Sequence, residues 1–207
     1  AAEPYERRGI LHSEMALIIH ICRDFRIERV IESGRARAQS TQMLAKYLPD
    51  CLIQSFDLRG ETGDEAFARE RLAPYGNVEL HVGDGRLLVP LAASLSSVPT
   101  AILLDGPKGA AAVELLQDCF AWPEIRVGFI HDMRRLDHGE PSPHRASALE
   151  AFPHAQFSDE PALVAGSSWM DANILDAGGP CGPAHEAEFG SYGPTIGVFM
   201  NARRPRQ

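Results

Sequence analysis

The chain has 207 residues, of which 44% are hydrophobic and 23% are charged, and its formal net charge is -8 at pH 7. This composition is typical of a globular protein, and the length predicts a single domain over 1–207. The negative charge argues against nucleic acid as the main partner, since phosphate binding requires a basic surface. The one basic cluster is the tail Arg203, Arg204 and Arg206. No apolar stretch has the length of a membrane span, so we expect no membrane insertion.

The four cysteines form no CxxC pair, and Cys22, Cys51 and Cys119 lie inside apolar runs, whereas Cys181 does not. A thiol in an apolar run usually behaves as a small buried hydrophobe, which favours a reduced intracellular setting. The N-terminus lacks a signal-peptide pattern. Together these features predict a cytoplasmic protein.

Predicted helices and strands alternate over the first two thirds of the chain. An amphipathic helix is predicted over 13–26, with Ser13 as its N-cap residue. Pro90 is expected to bend the fourth helix or to mark its first turn. Strands are predicted at 27–33, 51–57, 77–84, 100–105 and 126–132, and further helices at 41–49, 63–73, 86–95 and 109–120. This alternation predicts an α/β fold, with a parallel sheet covered by helices on both faces.

The pattern weakens over 133–193, which is rich in Gly, Pro, His and Asp. We expect long loops or a lid there, with one helix at 145–152. The segment HEAEFGSYGP, 185–194, is dense in polar groups and glycine, and we expect it to close over a pocket. A last strand is predicted at 195–200.

Polar groups stand at the end of every one of the five predicted strands of the first part: Glu32-Ser33-Gly34, Asp57, Asp84, Asp105 and His131-Asp132. The carboxyl ends of parallel strands meet at one edge of the sheet, which is where open α/β sheets bind ligands. A single Asp at such a place is often a helix N-cap residue. Acids at all five ends instead favour a binding site.

Each of these positions has a chemical interpretation. Gly34 lets the backbone turn sharply beside a ligand. Asp57 is placed to bind a ribose diol, and Asp84 to accept a hydrogen bond from an adenine amino group. The dinucleotide pattern GxGxxG would here include Ala36 and Gln39, so the turn has no phosphate cradle. A nucleoside cofactor without phosphates is therefore favoured over a dinucleotide.

Three segments, VIESGRARAQST (30–41), SFDLRG (55–60) and HVGDGRLL (81–88), resemble motifs of the class I S-adenosylmethionine (SAM)-dependent methyltransferases. LLDGPKG (103–109) and FIHDM (129–133) are similar to regions of the catechol-type and the macrocin and cephalosporin-biosynthesis O-methyltransferases. The resemblance implies a Rossmann-like methyltransferase fold with a mostly parallel seven-stranded sheet. It implies a SAM-binding set that comprises Glu32, Ser33, Gly34, Ser40, Asp57, Leu58, Gly83, Asp84, Gly85 and Asp105.

The same resemblance assigns catalytic roles. Asp105 and Asp132 would be ligands of a divalent cation such as Mg²⁺, and Lys108 would be the general base, with His131 as a further catalytic residue. The catechol-type enzymes carry Asp-Asn where this chain has His131-Asp132, which leaves a hard cation fewer oxygen ligands. Each of these residues also has a purely structural alternative. Lys108 could be a solvated side chain and Asp105 a helix N-cap residue. His131 could be a core histidine, and Glu32 could form hydrogen bonds only within its own turn.

The function that this implies is an O-methyltransferase acting on a hydroxyl of a small molecule, such as a sugar or a natural-product intermediate. The chain then divides into an N-terminal helical segment (1–26), a cofactor-binding core (27–132), a loop-rich acceptor or lid region (133–193), and a last strand with the tail (194–207). We expect a small-molecule acceptor and a homo-oligomer. The alternatives are a non-catalytic scaffold that binds SAM or S-adenosylhomocysteine (SAH), and a Rossmann-type enzyme that uses a nucleotide sugar or dinucleotide.

Arg35 and Arg37 are expected at the surface, and Arg134 and Arg135 either bind an anionic substrate or face water.

Overall fold

The computed structural model describes residues 4–6, 9–58 and 63–202, so the basic tail and the end of the SFDLRG segment lie outside the described residues. The first part of the chain alternates as predicted. Its elements are α1 (His12–Asp24), β1 (Arg29–Ser33), α2 (Gln39–Tyr47), β2 (Leu52–Asp57), α3 (Gly63–Leu72), β3 (Val78–Val82), α4 (Gly85–Ser94), β4 (Thr100–Leu104), α5 (Ala110–Cys119) and β5 (Ile125–Ile130).

The second part of the chain is more regular than the sequence predicted. The predicted helix at 145–152 is present, shifted slightly toward the N-terminus, and further short helices follow it. The elements are a hairpin of β6 (Leu136–Asp137) and β7 (Glu140–Pro141), α6 (Pro143–Ala151), β8 (Gln156–Phe157), α7 (Pro161–Ser167), a 3₁₀ turn (Ser168–Asp171), α8 (Ala172–Asp176), α9 (Pro183–Phe189) and β9 (Gly197–Met200). Elements this short lack the repeated apolar periodicity on which sequence prediction depends.

The main sheet has seven strands in the order β3-β2-β1-β4-β5-β9-β8. The first five are parallel, whereas β9 is antiparallel to both β5 and β8. The prediction of a mostly parallel seven-stranded sheet is confirmed. The strand order reverses between β1 and β4, which makes their carboxyl ends the topological switch point of the fold.

Helices cover both faces of the sheet, as predicted. One core cluster contains Met15 and Ile18 of α1 and Leu44 of α2, and the other contains Val89 of α4 and Leu116 of α5; all five are fully buried. The four cysteines are free and buried. Among the described residues, no helix has the length and apolar character needed to cross a membrane.

One local prediction was wrong, and one of the two alternatives for Pro90 is excluded. Ser13 is not the N-cap residue, because α1 begins at His12 and Leu11, two residues before Ser13, is in the cap position. The Leu11 amide donates to the Glu14 carboxylate over 3.0 Å. The Ser13 amide instead donates to Asp171 over 3.0 Å. Pro90 lies inside α4, whose cap residue is Asp84, so it does not mark the first turn, and the expected bend of the helix stays a prediction.

Candidate active site

A cavity of about 640 Å³ opens at the carboxyl ends of β1 to β4, over the switch point. Seven of the predicted cofactor-binding residues line it: Ser33, Gly34, Asp57, Leu58, Asp84, Gly85 and Asp105. Ser40 lines an adjoining cavity that shares Gly34 and Asp105 with the first. The parallel register brings the strand ends level, which explains why residues from four separate segments meet here.

The turn after β1 lies directly against the turn after β4. The Ser33 carbonyl accepts hydrogen bonds from the amides of Asp105 (2.8 Å) and Gly106 (3.1 Å), and the Ser33 hydroxyl donates to the Gly106 carbonyl. Gly34 has φ of +94°, and a Cβ at this position would lie 2.8 Å from backbone atoms of both Asp105 and Gly106. Glycine is therefore required here because two backbones touch.

Asp57 holds the β1–α2 turn in its conformation. Its Oδ2 accepts hydrogen bonds from the amides of Arg35 and Ala36, each over 2.9 Å. Ala36 (φ 44°) and Ala38 (φ 63°) both adopt left-handed conformations, which favour glycine. Two alanines thus adopt conformations that usually favour glycine, and the hydrogen bonds to Asp57 help to stabilise the turn.

Glu32 does not line the cavity, contrary to the prediction. Its fully buried carboxylate accepts hydrogen bonds from the hydroxyls of Ser40 (2.5 Å), Thr41 and Ser55 (2.6 Å). Burial raises the pKa of the Glu32 carboxyl, and the three hydroxyls oppose that rise. The hydrogen bonds of Glu32 therefore link β1 to α2 and to β2. Gly83 is also absent from the lining, and its amide donates to the Asp57 carbonyl over 2.9 Å.

Arg35 is buried, so its predicted surface position was wrong. Its guanidinium forms an ion pair with Glu65 of α3 and donates to the carbonyls of Ser55 (2.8 Å) and His81 (3.3 Å). The pair joins the β1–α2 turn to α3. Arg37 is half-exposed, in agreement with its predicted surface position. A sequence cannot distinguish a solvated arginine from one whose partner lies on another element.

Asp84 caps α4 and is paired with a residue that the sequence analysis did not identify. Its Oδ1 accepts from the Arg86 amide over 2.9 Å, and its Oδ2 lies 2.7 Å from Arg86 Nη2. These hydrogen bonds hold the pKa of the Asp84 carboxyl below its usual range. Arg86 itself lines the cavity, as does Leu58, whose side chain is exposed.

The predicted catalytic residues form one cluster at the Asp105 side of the cavity. Asp105 Oδ1 accepts hydrogen bonds from Lys108 Nζ and from His131 Nδ1 (2.6 Å), and Lys108 Nζ lies 2.6 Å from Asp132 Oδ2. Asp105 is not a helix cap, because Gly109 occupies that position of α5. Asp105, His131 and Asp132 offer three potential metal-ligand atoms that lie within 4.8 Å of one another.

His131 bridges Asp105 to a buried carboxylate that the sequence analysis missed. Its Nε2 lies 3.5 Å from Glu14 Oε2, and both side chains are almost completely buried. Burial alone would lower the pKa of His131, but the charges of Asp105 and Glu14 outweigh it and raise the pKa to about 10. The sequence did contain a sign that Glu14 is buried: it lies four residues before Ile18, and therefore on the apolar face of α1.

Lys108 is stabilised in its charged form, which contradicts the expectation of a partly neutral base. Burial lowers the pKa of Lys108, but the charges of Asp105 and Asp132 outweigh burial and raise it. His131 is cationic for the same kind of reason. In this arrangement neither residue is ready to accept a proton.

The segment 185–194 lies away from the main cavity, whose described lining includes no residue of 133–193. His185 is buried, and its Nδ1 donates to the Ser191 carbonyl over 2.7 Å. Arg134 pairs with Asp137 over 2.7 Å, and Arg135 lies 3.2 Å from Asp159. These contacts join residues of 134–191 to one another. Because the segment 185–194 does not line the cavity, its closure over an acceptor stays a prediction.

No family model and no curated protein matches the sequence. Solved structures do match its fold. The O-methyltransferase TomG from Streptomyces achromogenes, which is involved in tomaymycin synthesis and was solved in complex with SAM, is 18% identical; the match covers 93% of this chain and 81% of that chain with a TM-score of 0.56. An O-methyltransferase from Bacillus cereus in complex with SAH is 12% identical over 93% and 82% of the chains, with a TM-score of 0.61. The chain therefore has the Rossmann-like methyltransferase fold that its motifs implied.

We expect Gly34→Ala to destabilise the protein by on the order of 1–3 kcal/mol, because the new methyl group meets the β4–α5 backbone and alanine disfavours this φ. Urea unfolding measures the change. Gly76→Ala is the matched control, since no atom lies within 4 Å of a Cβ at that position. Its effect should stay within about 0.5 kcal/mol. Equal effects of the two substitutions would contradict the backbone contact at Gly34.

We expect the stability that His131 contributes to be lost in alkali. Since its pKa is raised from 6.5 to about 10, the contribution is fully present below about pH 6.5 and falls progressively up to about pH 10. Urea unfolding of the wild type and of His131→Gln over this range checks the prediction. The difference in unfolding free energy between the two should shrink as the pH rises, and a constant difference would contradict an imidazolium at this position.

Proposed function

We propose that this chain is a SAM-dependent O-methyltransferase that acts on a hydroxyl of a small molecule such as a sugar or a natural-product intermediate. The observation that carries the proposal is the shared position of Asp105. This residue lines the strand-end cavity and also belongs to the cluster with Lys108, His131 and Asp132. The proposed cofactor site and the proposed catalytic cluster would thus meet at one carboxylate. The fold shared with O-methyltransferases bound to SAM or SAH supports the choice of cofactor.

The charge of the cavity suits a cofactor that is cationic and carries no phosphate. Among the described lining residues the acids are Asp57, Asp64, Glu65, Asp84 and Asp105, against one base, Arg86. Cations outside the lining pair with two of these acids, Glu65 and Asp105, so the excess of negative charge comes from the others. Acidic walls repel a pyrophosphate but attract a sulfonium and an ammonium group. This argues for SAM over a dinucleotide or a nucleotide sugar.

The strand ends give each part of the cofactor a partner. The Asp57 carboxylate, held at the end of β2, would accept hydrogen bonds from the ribose hydroxyls, and Asp84 one from the adenine amino group. Leu58 would supply an apolar contact for the adenine ring. The exposed side chain of Arg86 forms an ion pair with the Asp84 carboxylate, so adenine binding at Asp84 would require Arg86 to move.

In the reaction the acceptor oxygen attacks the methyl carbon, the carbon–sulfur bond breaks, and its electron pair remains on the sulfur of SAH. The hydroxyl proton must be removed as the bond forms. Asp105 and Asp132 would hold a divalent cation, which His131 could join only after losing a proton, and the cation would lower the pKa of an acceptor hydroxyl. If a cation engaged both carboxylates, Lys108 would lose the charges that raise its pKa, whereas burial would still lower it. Lys108 would then accept the proton.

We expect the protein to bind SAH and not NAD⁺ in isothermal titration calorimetry. Asp57→Asn should weaken SAH binding by about tenfold or more, because the amide retains one acceptor for the β1–α2 turn but loses the negative charge next to the ribose. Asp118→Asn, on the exposed side of α5, is the control and should bind SAH like the wild type. Binding of NAD⁺ without SAH would contradict the cofactor assignment.

We expect methyl transfer to require a divalent cation. Incubation with SAM and a panel of small hydroxylated acceptors, followed by mass spectrometry, should yield a methylated product with Mg²⁺ or Mn²⁺ and none with EDTA. Mn²⁺ binding, measured by the loss of the electron paramagnetic resonance signal of the free ion, should disappear in Asp132→Ala, whereas SAH binding should persist. SAH binding without turnover of any acceptor would favour the scaffold, and turnover in EDTA would contradict the role of the cation.

A further inference from the structure

A second cavity lies beside α1, on the side of the molecule that carries the 3₁₀ turn. It has a volume of about 410 Å³, and its walls come from α1, α2 and that turn. Small-molecule sites in proteins have volumes of about 300–1,000 Å³. Within the described part of the chain, its lining shares no residue with either cavity at the strand ends. The cavity is therefore a separate place where a small molecule can bind.

The apolar part of this lining suits an aromatic ring. Trp169 is 69% exposed and Tyr47 37%, so both rings are accessible to a ligand. Trp169 Nε1 donates to the Gly166 carbonyl over 3.1 Å, which holds the indole in place. Met43 and Met170 add two thioethers, and sulfur contacts with the edge of an aromatic ring are favourable. Because ring stacking and sulfur contacts add to the burial of area, an aromatic ligand is favoured over an aliphatic one.

The polar part of the lining is basic, in contrast to the chain as a whole. Its nitrogen bases are His12, His20 and Arg23, and among the described lining residues there is no carboxylate. A histidine is either neutral or positive, whereas the whole chain carries a net charge of -8. A concave surface with bases and without acids attracts an anion, so we expect the ligand to carry a negative charge.

Arg23 is the residue best placed to bind that charge. It is exposed, and its Nη2 donates to the Tyr47 carbonyl over 2.8 Å, which holds the guanidinium between α1 and α2. A guanidinium has several N–H donors, so this bond leaves others for a carboxylate. His20 is less suited, since its Nε2 lies 3.4 Å from the carboxylate of Asp24.

The length of the cavity selects an elongated ligand. The Ser13 amide donates to Asp171 over 3.0 Å, which places the 3₁₀ turn and Trp169 near the start of α1. Arg23 is close to the other end of this helix, about 15 Å further along its axis. A ligand that contacts both Trp169 and Arg23 therefore needs the length of two linked rings.

We propose that this cavity binds a biaryl carboxylate, with its rings on Trp169 and Met43 and its carboxylate on Arg23. Such a ligand uses accessible rings, thioethers and a cation together. An aliphatic chain would leave the guanidinium unused, and an inorganic anion would leave the rings unused. Because the lining is separate from the strand-end cavities, the proposal does not depend on the function proposed above.

Isothermal titration calorimetry with biphenyl-4-carboxylate and its uncharged analogue biphenyl-4-carboxamide tests the role of Arg23. The wild type should bind the carboxylate about tenfold more tightly, because hydrogen bonds to charged groups are stronger. Arg23→Gln should bind the two compounds alike. Arg26→Gln, at an exposed arginine outside the described lining, is the matched control and should keep the preference. Equal affinities in the wild type, or no binding of the acid up to about 1 mM, overturn the proposal.

The saturated analogue 4-cyclohexylcyclohexane-1-carboxylate tests the need for aromatic rings. It should bind about fivefold more weakly than biphenyl-4-carboxylate, and Trp169→Ala should weaken the aromatic acid by a similar factor while its preference over the amide persists. Leu163→Ala, at a residue that is 40% exposed on α7, is the control and should bind like the wild type. Circular dichroism establishes that each variant is folded. A saturated acid that binds as tightly as the aromatic one, or competition by excess SAH, overturns the assignment.

Discussion

The backbone contact between the turn after β1 and the turn after β4 is the constraint on which the rest of the site depends. The Ser33 carbonyl accepts hydrogen bonds from the amides of Asp105 and Gly106, at the start of the β4–α5 turn. At Gly34 the two backbone segments are so close that there is no room for a Cβ. Gly85 approaches the same point, since a Cβ there would lie 2.1 Å from Ser33 Oγ. This contact fixes Asp105 relative to the cavity. The strand ends could not converge on one ligand if these turns were further apart.

Buried charges hold the elements around that contact. Glu32 binds three hydroxyls from α2 and β2, Arg35 pairs with Glu65 of α3, and His131 lies between Asp105 and Glu14 of α1. A buried charge is costly unless its partners are in place, so each group permits only a narrow range of arrangements. The site is therefore positioned by polar contacts, whereas the sheet beneath it is positioned by apolar packing.

The sequence predicted the architecture well because the relevant signals are local. Apolar runs of strand length, helical spacing and turn residues located β1 to β5 and α1 to α5 within a few residues, and parallel strands necessarily bring Asp57, Asp84 and Asp105 to one edge. The weaker predictions concerned side chains whose role depends on a partner. Glu32 turned away from the cavity, Arg35 was buried, and Lys108 was held as a cation. The short helices after β5 also lacked enough periodicity to be predicted.

By itself the sequence determined the α/β fold, the edge of the sheet that holds the cavity, and half of the described residues that line it. These follow from periodicity and strand direction, which are properties of continuous segments. The tertiary structure alone decided which charges are paired, that His131 lies between Glu14 and Asp105, and that Trp169 and Arg23 line one cavity. Such pairings join residues that are distant in sequence, and their pKa values and exposure depend on burial that only the folded chain defines.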